Sequence, residues 1–315
     1  MFVVIGTTTA DIFVRGMPTF AGLGDGFQAN NLVFCDKPLL IIVGGNGANS
    51  AYVLGRLDVE TALCSTIGQD ELGDWLAQKL LTQNVRLEGL LRHPNRATSS
   101  STILLDNAEN QSVFHHLGAS ETLALTPIHE SLLARAAVLL CSSYTLLPHM
   151  RSGGFSRALR LAHEAGGITA LDIGPAIGEP VTTSEIKSLF PQLDYLIANT
   201  HELKECTQAK DWEDACAKLL GEGCACVVAK RGGEGVSLRS HHGNIDLPAI
   251  QVSGNISVGA GDSFNAGFLY ACWKKRSPQQ ALQFGSVVAA AVVAGQQGVF
   301  SAPSLAEVEA ALEQK

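Results

Sequence analysis

The chain has 315 residues, of which 46% are hydrophobic and 17% are charged, and this composition indicates a folded globular protein. A chain of this length buries about three quarters of the surface that it exposes when unfolded, so its core needs no disulfide or metal. Its 22 Lys and Arg residues against 30 Asp and Glu residues give a formal net charge of −8. This acidic balance disfavours binding to nucleic acid or anionic membranes, and we expect a small-molecule partner.

The cysteines and the apolar segments predict a cytoplasmic protein. The eight cysteines are scattered, and many lie in apolar runs, as Cys141 does, which is typical of reduced thiols in a core. The first six residues lack the basic segment of a secretory signal. The most apolar late segment, residues 287–294, is far shorter than the ~20 residues that span a membrane. We therefore expect no membrane association.

Short aliphatic runs alternate along the chain with longer segments of helical periodicity. The runs that predict buried strands are residues 2–5, 62–65, 137–141, 168–172, 195–198 and 226–229. The segments that predict helices are residues 47–56, 71–84, 154–165, 212–221 and 262–274. This alternation predicts a three-layer α/β/α fold with a mostly parallel central sheet, in a single domain over residues 1–315.

Two segments, residues 11–36 and 97–117, have strand patterns with no helix between the strands. In the second segment, residues 98–105 and 111–116 flank a polar turn and predict a β-hairpin. We expect both segments to form a small β-sheet lid over a ligand crevice at the carboxyl ends of the parallel strands. An edge extension without a functional role is the alternative.

The most informative segment is residues 255–267, Asn-Ile-Ser-Val-Gly-Ala-Gly-Asp-Ser-Phe-Asn-Ala-Gly. Gly259 and Gly261 allow a tight turn, and Asp262 stands where a helical pattern begins. The first N–H groups of a helix lack acceptors within it, so this segment predicts a site for an anionic phosphoryl group. A carboxylate beside such a site could accept a proton from a hydroxyl group. The alternative is that Asp262 only caps the helix.

Residues 258–268, Val-Gly-Ala-Gly-Asp-Ser-Phe-Asn-Ala-Gly-Phe, resemble the C-terminal signature of the ribokinase-like (PfkB-type) carbohydrate kinases. This resemblance implies that Asp262 is the catalytic base. It also implies that Gly259, Ala260 and Gly261 form an anion hole.

Residues 43–51, Val-Gly-Gly-Asn-Gly-Ala-Asn-Ser-Ala, are similar to the N-terminal signature of the same family. The resemblance implies that Gly44, Gly45 and Asn49 contact the hydroxyl groups of a sugar. Asp11, soon after the first predicted strand, matches the substrate-binding Asp of the family. His115 or His116 could line the lid side of the same pocket.

Two further segments resemble the family's nucleotide and magnesium motifs. Asn199 and Glu202 match its N-x-x-E motif, which implies that they hold magnesium and phosphate through water, Glu202 being the candidate metal residue. Lys230, Gly232 and Gly235 follow a predicted strand as the nucleotide-binding loop of the family does.

The resemblance extends over residues 11–303 and implies a fold, an activity and cofactors. It implies a ribokinase-like fold and ATP-dependent phosphorylation of a hydroxyl group on a sugar or sugar-like molecule, with ATP and Mg²⁺ as cofactors. A homodimer formed through the lid is plausible. A catalytically silent sugar or nucleotide sensor, a nucleoside kinase and, from the α/β alternation alone, a nicotinamide dehydrogenase are the alternatives.

The chain departs from the family pattern at the positions where many members bind a monovalent cation. The family has Asp-Thr there, and this chain has Ile256 and Ser257. The sequence therefore gives a monovalent cation no clear support. Thr9 replaces the Asn that often precedes the substrate-binding Asp, so one substrate contact is expected to differ.

Each motif taken alone also has a purely structural interpretation. Asp11 could be a turn residue, Gly44 and Gly45 a strand-to-helix turn, Asn199 and Glu202 a capping box, and Lys230 a solvated residue at a strand end. The functional interpretation depends on finding all of them in the order of the family.

Overall fold

The computed structural model describes residues 1–17, 34–107, 110–174, 179–254 and 257–313. The strands in these ranges are, in chain order, β1 (Phe2–Ile5), β2 (Thr9–Met17), β3 (Leu40–Gly44), β4 (Thr61–Gly68), β5 (Val85–Arg86), β6 (Leu90–His93), β7 (Ser99–Asp106), β8 (Gln111–His116), β9 (Val138–Cys141), β10 (Ile168–Asp172), β11 (Tyr195–Asn199), β12 (Cys226–Lys230), β13 (Val236–Ser240) and β14 (Gly243–Leu247). The helices are α1 (Asn46–Arg56), α2 (Glu71–Leu81), α3 (Pro127–Leu133), α4 (Phe155–Glu164), α5 (Thr183–Ile186), α6 (Thr200–Thr207), α7 (Trp212–Gly221), α8 (Ala260–Trp273), α9 (Pro278–Gly295) and α10 (Leu305–Glu313).

The central sheet is mostly parallel, as predicted. Its strand order is β14-β13-β12-β11-β10-β9-β1-β4-β5, and β6 pairs with β4. All pairs from β12 to β5 are parallel, whereas β13 and β14 add antiparallel strands at one edge. The carboxyl ends of the parallel strands therefore meet along one edge of the sheet, which is where open α/β sheets bind ligands.

Helices cover both faces of this sheet, so the three-layer prediction is confirmed. In β1, Phe2 and Val4 pack into a core with α1, α2, α8, α9 and α10. Val3 and Ile5 pack into a second core with α3, α4, α5, α6 and α7. Successive side chains of a strand point to opposite faces, and an apolar run of this kind can fill two cores only when both faces are covered.

A separate four-stranded sheet has the strand order β3-β2-β7-β8, and we call it the small sheet. Its β7–β8 hairpin is antiparallel, as predicted. One face packs Phe13, Ile42 and Ile103 against Val258 and Phe300 of the main body. The prediction of a small sheet is confirmed, although residues 18–33 of the first predicted lid segment lie outside the described residues.

The sequence analysis missed several elements of the fold. Strand β3 belongs to the small sheet, but it lies beyond the predicted limit at residue 36. Helix α9 contains the apolar segment that begins at Val287, and its long run of small apolar residues hides the helical period. The β13–β14 hairpin was also missed. Among the described residues, no helix combines the length and the hydropathy that a membrane span requires.

Candidate active site

Asp262 lies in the first turn of α8, at the carboxyl edge of the central sheet. The helix begins after Gly259, whose φ of 81° is in the left-handed region, which favours glycine. The N–H of Ala260 donates to the carbonyl of Ser257 at 3.0 Å. Because the next two N–H groups, of Gly261 and Asp262, have no acceptor within the helix, they are free to meet an anion. Of the predicted anion hole, Ala260 is thus the member whose N–H already has a partner.

Two amides of α1 hold the carboxylate of Asp262. Asn46 Nδ2 donates to Oδ1 at 2.9 Å, and Asn49 Nδ2 donates to Oδ2 at 2.8 Å. Asn46 and Asn49 are three residues apart, so they lie on the same face of the helix. The Oδ1 atom of Asn49 is buried without a partner among the described residues. Asn49 therefore contacts the carboxylate and still has an acceptor to offer a ligand hydroxyl.

The environment of Asp262 sets its proton affinity. Burial raises the pKa of its carboxyl group from 3.8 to about 6, while hydrogen bonds from Asn49 and Asn46 oppose the rise. The side chain is therefore ionised at neutral pH, yet it binds a proton more readily than an exposed Asp does. This is the property that a general base requires.

Asp11 on β2 forms the side of the site next to the small sheet. Gly44 lies directly against it, because a Cβ atom at this position would overlap the Asp11 carboxylate. Gly45 has a φ of 82°, and a Cβ there would lie 2.6 Å from the carbonyl oxygen of Thr7. These contacts explain the paired glycines. They bring Asp11 beside the beginning of α1, close enough to Asp262 for the two carboxylates to interact.

Burial raises the pKa of Asp11 to about 6, although a hydrogen bond from Ser101 on β7 opposes the rise. Ser101 Oγ in turn lies 3.0 Å from His115 Nδ1 on β8. Asp11, Ser101 and His115 thus share one face of the small sheet, in register across β2, β7 and β8.

Lys230, at the end of β12, is not a solvated residue. Its Nζ lies 2.7 Å from Oδ2 of Asp172, and only 17% of its side chain is exposed. Burial opposes its charge, but Asp172 and Glu202 together raise its pKa. Lys230 Nζ also lies 3.4 Å from the position that a Cβ on Gly261 would occupy. The ammonium group is therefore fixed over the beginning of α8.

Asn199 and Glu202 form a capping box at the beginning of α6. Asn199 Oδ1 accepts from Glu202 N at 2.9 Å, and Glu202 Oε2 accepts from Asn199 N at 2.7 Å. Burial and the charge of Asp172 raise the pKa of Glu202 to about 7, with Lys230 opposing them. The structural interpretation of this motif is therefore confirmed, and the same two side chains also line the cleft described next.

A cleft of about 730 Å³ connects Asp262, Lys230 and Glu202. Its polar lining includes Asn46, Asp172, Asn199, Glu202, Lys230 and residues 259–262, and its apolar lining includes Val236, Ile250, Val252, Ala289 and Val293. Gly232 and Gly235 also line it, and a side chain on Gly235, whose φ is 109°, would overlap the carbonyl of Leu247. Asp11, Gly44, Gly45 and Asn49 do not line this cleft. The predicted site residues thus divide into two groups that meet at Asp262.

The sequence analysis missed three side chains of this site. Asn46 lies inside the motif that contains Gly44 and Asn49, and its helical spacing from Asn49 was the available signal. Asp172 is the last residue of a correctly predicted strand, at the edge where ligands bind. Ser101 had no signal, since its role depends on the pairing of β7 with β2.

The described residues contain no group of three His, Cys, Asp or Glu side chains arranged to hold a metal ion. Mg²⁺ is usually held by one or two carboxylates together with the phosphates of a substrate. Glu202 could supply one such carboxylate, whereas Asp172 is already paired with Lys230. The residues therefore fit a magnesium ion that arrives with a phosphate ligand. Ile256, in the loop compared with monovalent-cation sites, lies outside the described residues.

Two proteins of similar sequence are a kinase of a sugar phosphate and a kinase of nucleosides. The ATP-dependent ribose-1-phosphate kinase of Halopiger xanaduensis is 26% identical over 278 residues, which cover 86% of this chain and 87% of that protein. The nucleoside kinase of Methanothermobacter thermautotrophicus is 27% identical over 271 residues, covering 85% and 84% of the two chains.

The structure of Arabidopsis thaliana ribokinase complexed with ribose and ATP superposes with a TM-score of 0.82 at 23% identity, covering 99% of this chain and 98% of that one. This likeness shows that the fold is ribokinase-like. A sequence model of the pfkB family of carbohydrate kinases matches residues 37–305. Since this match covers most of the chain, the protein belongs to the pfkB family of carbohydrate kinases.

Proposed function

We propose that the protein transfers the γ-phosphoryl group of ATP to a hydroxyl group of a sugar or sugar-like small molecule. The observation that carries this proposal is the setting of Asp262. Its carboxylate is held at both oxygens, beside the free N–H groups of a helix N-terminus and beneath the ammonium group of Lys230. A base and a phosphoryl-binding site therefore converge on one point.

In this reaction the oxygen of the acceptor hydroxyl forms a bond to the γ-phosphorus, and Asp262 accepts the proton of that hydroxyl. The bond from that phosphorus to the β–γ bridging oxygen breaks, and ADP leaves. The N–H groups of Gly261 and Asp262, the dipole of α8 and Lys230 would stabilise charge on the transferred group. Mg²⁺ bound to ATP would neutralise charge on the β- and γ-phosphates, with Glu202 supporting it through water.

The two groups of residues around Asp262 suit the two substrates. The cleft would hold ATP, with the phosphates beside its polar residues and the adenine ring against Val236, Ile250 and Val293. Asp11 and the free Oδ1 of Asn49 would bind hydroxyl groups of the acceptor. Since Asp11 lies on β2, the small sheet would act as the lid over the acceptor.

Two alternatives predict different results with the same panel of acceptors. A catalytically silent sensor would bind a sugar or ATP without releasing ADP. A nucleoside kinase would release ADP with nucleosides and not with free sugars, and one of the relatives carries that name. We expect ATP-dependent ADP release with at least one compound among ribose, ribose 1-phosphate and fructose, measured by a coupled assay. Binding of such a compound with no ADP release would contradict the proposal. Release with nucleosides alone would favour the nucleoside kinase.

The role of Asp262 can be tested with Asp262→Asn, using whichever acceptor the panel identifies. We expect turnover to fall by ~10² or more, because the amide cannot take the proton. ATP binding, measured by calorimetry, and the thermal midpoint of unfolding serve as controls for the fold and the cleft. Turnover close to that of the unchanged protein would exclude Asp262 as the base.

If Asp11 serves to bind the acceptor, the burial of its charge should lower the free energy of unfolding. The folded protein releases the Asp11 proton near pH 6, whereas the unfolded chain releases it near the usual 3.8. The free energy of unfolding therefore falls as the pH rises between these values. We expect Asp11→Asn, which cannot ionise, to raise the unfolding free energy at pH 7.5 by about 1–3 kcal/mol in urea titrations, with the gain shrinking towards pH 4.

Asp70→Asn is the matched control for Asp11→Asn. Burial opposes ionisation of Asp70 as well, but hydrogen bonds from Thr98 and Gly73 hold its pKa below the usual value. Its substitution should therefore lower the unfolding free energy at pH 7.5. A loss of stability in Asp11→Asn at that pH would show that its buried charge carries no net cost.

We also propose a homodimer formed through the small sheet. Ile41, Ile12, Thr102 and Phe114 form one row across its four strands, on the face opposite Asp11. Ile41 is 41% exposed and Phe114 is 64% exposed, although both are large and apolar. A second copy would cover this face by the same contacts on both subunits.

Phe114→Lys should weaken such a dimer at least about tenfold, because each subunit would bring an uncompensated charge to the interface. Sedimentation velocity over a range of concentrations would measure this change. Leu81→Lys is the control, since Leu81 is 57% exposed but lies on α2. A protein that is monomeric at all concentrations, or a dimer that both substitutions leave intact, would contradict the proposal.

A further inference from the structure

A row of buried polar side chains leads from the central sheet to Asp262. Thr7 follows β1, and its Oγ1 lies 3.0 Å from Oγ of Ser143, which follows β9. Ser143 Oγ donates to Asn46 Oδ1 at 3.1 Å, and Asn46 Nδ2 donates to Asp262 at 2.9 Å. Thr7 N also donates to Ser143 Oγ at 3.2 Å. Four side chains from four parts of the chain are thus connected without a gap.

The donors and acceptors of this row fit only one arrangement. Ser143 has one hydroxyl proton, and it is given to Asn46, so the proton between Thr7 and Ser143 comes from Thr7. Because Asn46 Oδ1 accepts from Ser143, the NH₂ end of the amide faces Asp262. The opposite orientation of the amide would set its oxygen against the carboxylate, where both atoms are acceptors. The carboxylate therefore sets which end of the Asn46 amide meets it, and Ser143 holds that orientation by donating to the amide oxygen on the other side.

The backbone at Ser143 strengthens this inference. Its φ of 59° lies in the left-handed region, which costs free energy in a residue other than glycine. The side chain is fully buried, and its hydroxyl is the atom that reaches both Thr7 and Asn46. Serine is short enough to make these bonds from this backbone position.

We propose that Thr7, Ser143 and Asn46 form a positioning chain that fixes the plane of the Asp262 carboxylate from the edge of the central sheet. Asn49 alone would leave the carboxylate free to rotate about its bond to Cβ, since it holds only Oδ2. With Asn46 held by Ser143, both oxygens have a fixed donor. The catalytic consequence rests on the proposed role of Asp262 as the base.

The positioning chain also opposes the effect that the nearby carboxylates have on the protonation of Asp262. The charged groups that face Asp262 are Asp11 from the small sheet, Asp172 at the end of β10, Glu202 of α6 and Lys230 of β12. Three of these four groups are carboxylates, so their sum favours the protonated form of Asp262. The amide donors favour the ionised form, and weakening one of them should make Asp262 a weaker acid.

Ser143→Ala tests the chain without touching Asp262 or its amide partners. The control is Ser142→Ala, because Ser142 is equally buried but donates to the carbonyl of Ile5 at 3.0 Å, outside the chain. The readout is the carboxyl ¹³C NMR titration of Asp262 in the full chain, with the signal assigned from its loss in Asp262→Asn. We expect Ser143→Ala and Asn46→Ala to raise the measured pKa by about 0.5–1 unit, and Ser142→Ala to leave it unchanged.

The same variants should change the pH dependence of turnover. With an active acceptor, the acidic limb of the kcat/KM profile for that acceptor, which reports the free enzyme, should move to higher pH by the same amount as the NMR titration, while KM for ATP stays within about twofold. Thr7→Val and Thr7→Ser form a second pair, needed if Ser143→Ala does not fold. The valine removes the donor to Ser143 and should shift the titration in the same direction, whereas the serine should restore it.

The outcomes separate this proposal from the proposed function. An Asp262 titration that is identical in Ser143→Ala, Asn46→Ala and Thr7→Val would overturn the positioning chain, even if Asp262→Asn abolishes turnover. A shifted titration without a shifted kcat/KM profile would support the chain and instead exclude Asp262 as the base. Equal shifts in Ser143→Ala and Ser142→Ala would also overturn the chain, because they would indicate a general loosening of this region.

Discussion

The contact between the beginning of α1 and the beginning of α8 is the interaction on which the site depends. Two amides from one helix meet the two oxygens of Asp262 on the other. The contact is possible because Gly47 lies against Gly6, where a Cβ would come within 2.7 Å of the strand-end residue. Helix α1 can therefore begin directly at the edge of the sheet, where the turn that precedes α8 also lies. Asp11 and the small sheet lie on one side of this contact, and the cleft lined by Lys230 and Glu202 lies on the other.

The structural interpretations of the motifs are compatible with the proposed functional ones. Asn199 and Glu202 cap α6, and the same geometry turns the carboxylate of Glu202 towards the cleft. Lys230 ends a strand, but its ion pair with Asp172 holds it inward over α8 rather than in solvent. A cap or a strand end is a place where the backbone leaves its regular pattern, so a polar side chain there can stabilise the fold and still face a cleft.

Much of the central sheet could be predicted because its strands are continuous apolar runs between helices, as residues 168–172 show. Asp262, Gly44 and Asn49 could be predicted as site residues because each lies in a glycine-rich segment, which is a local feature of the sequence. Helix α9 could not be found, since it is apolar on nearly all sides. Ser101 and Ser143 could not be found either, because their contacts join strands that are far apart in the sequence.

Strand β3 of the small sheet and helix α1 are joined by a single residue, Gly45. Because the linker is a single residue, we expect a rotation of β3 to be passed on to α1. A tilt of the small sheet would therefore move the first turn of α1, which carries Asn46 and Asn49, the two residues whose amides bind Asp262. The position of the small sheet and the orientation of the Asp262 carboxylate are therefore coupled through one backbone connection.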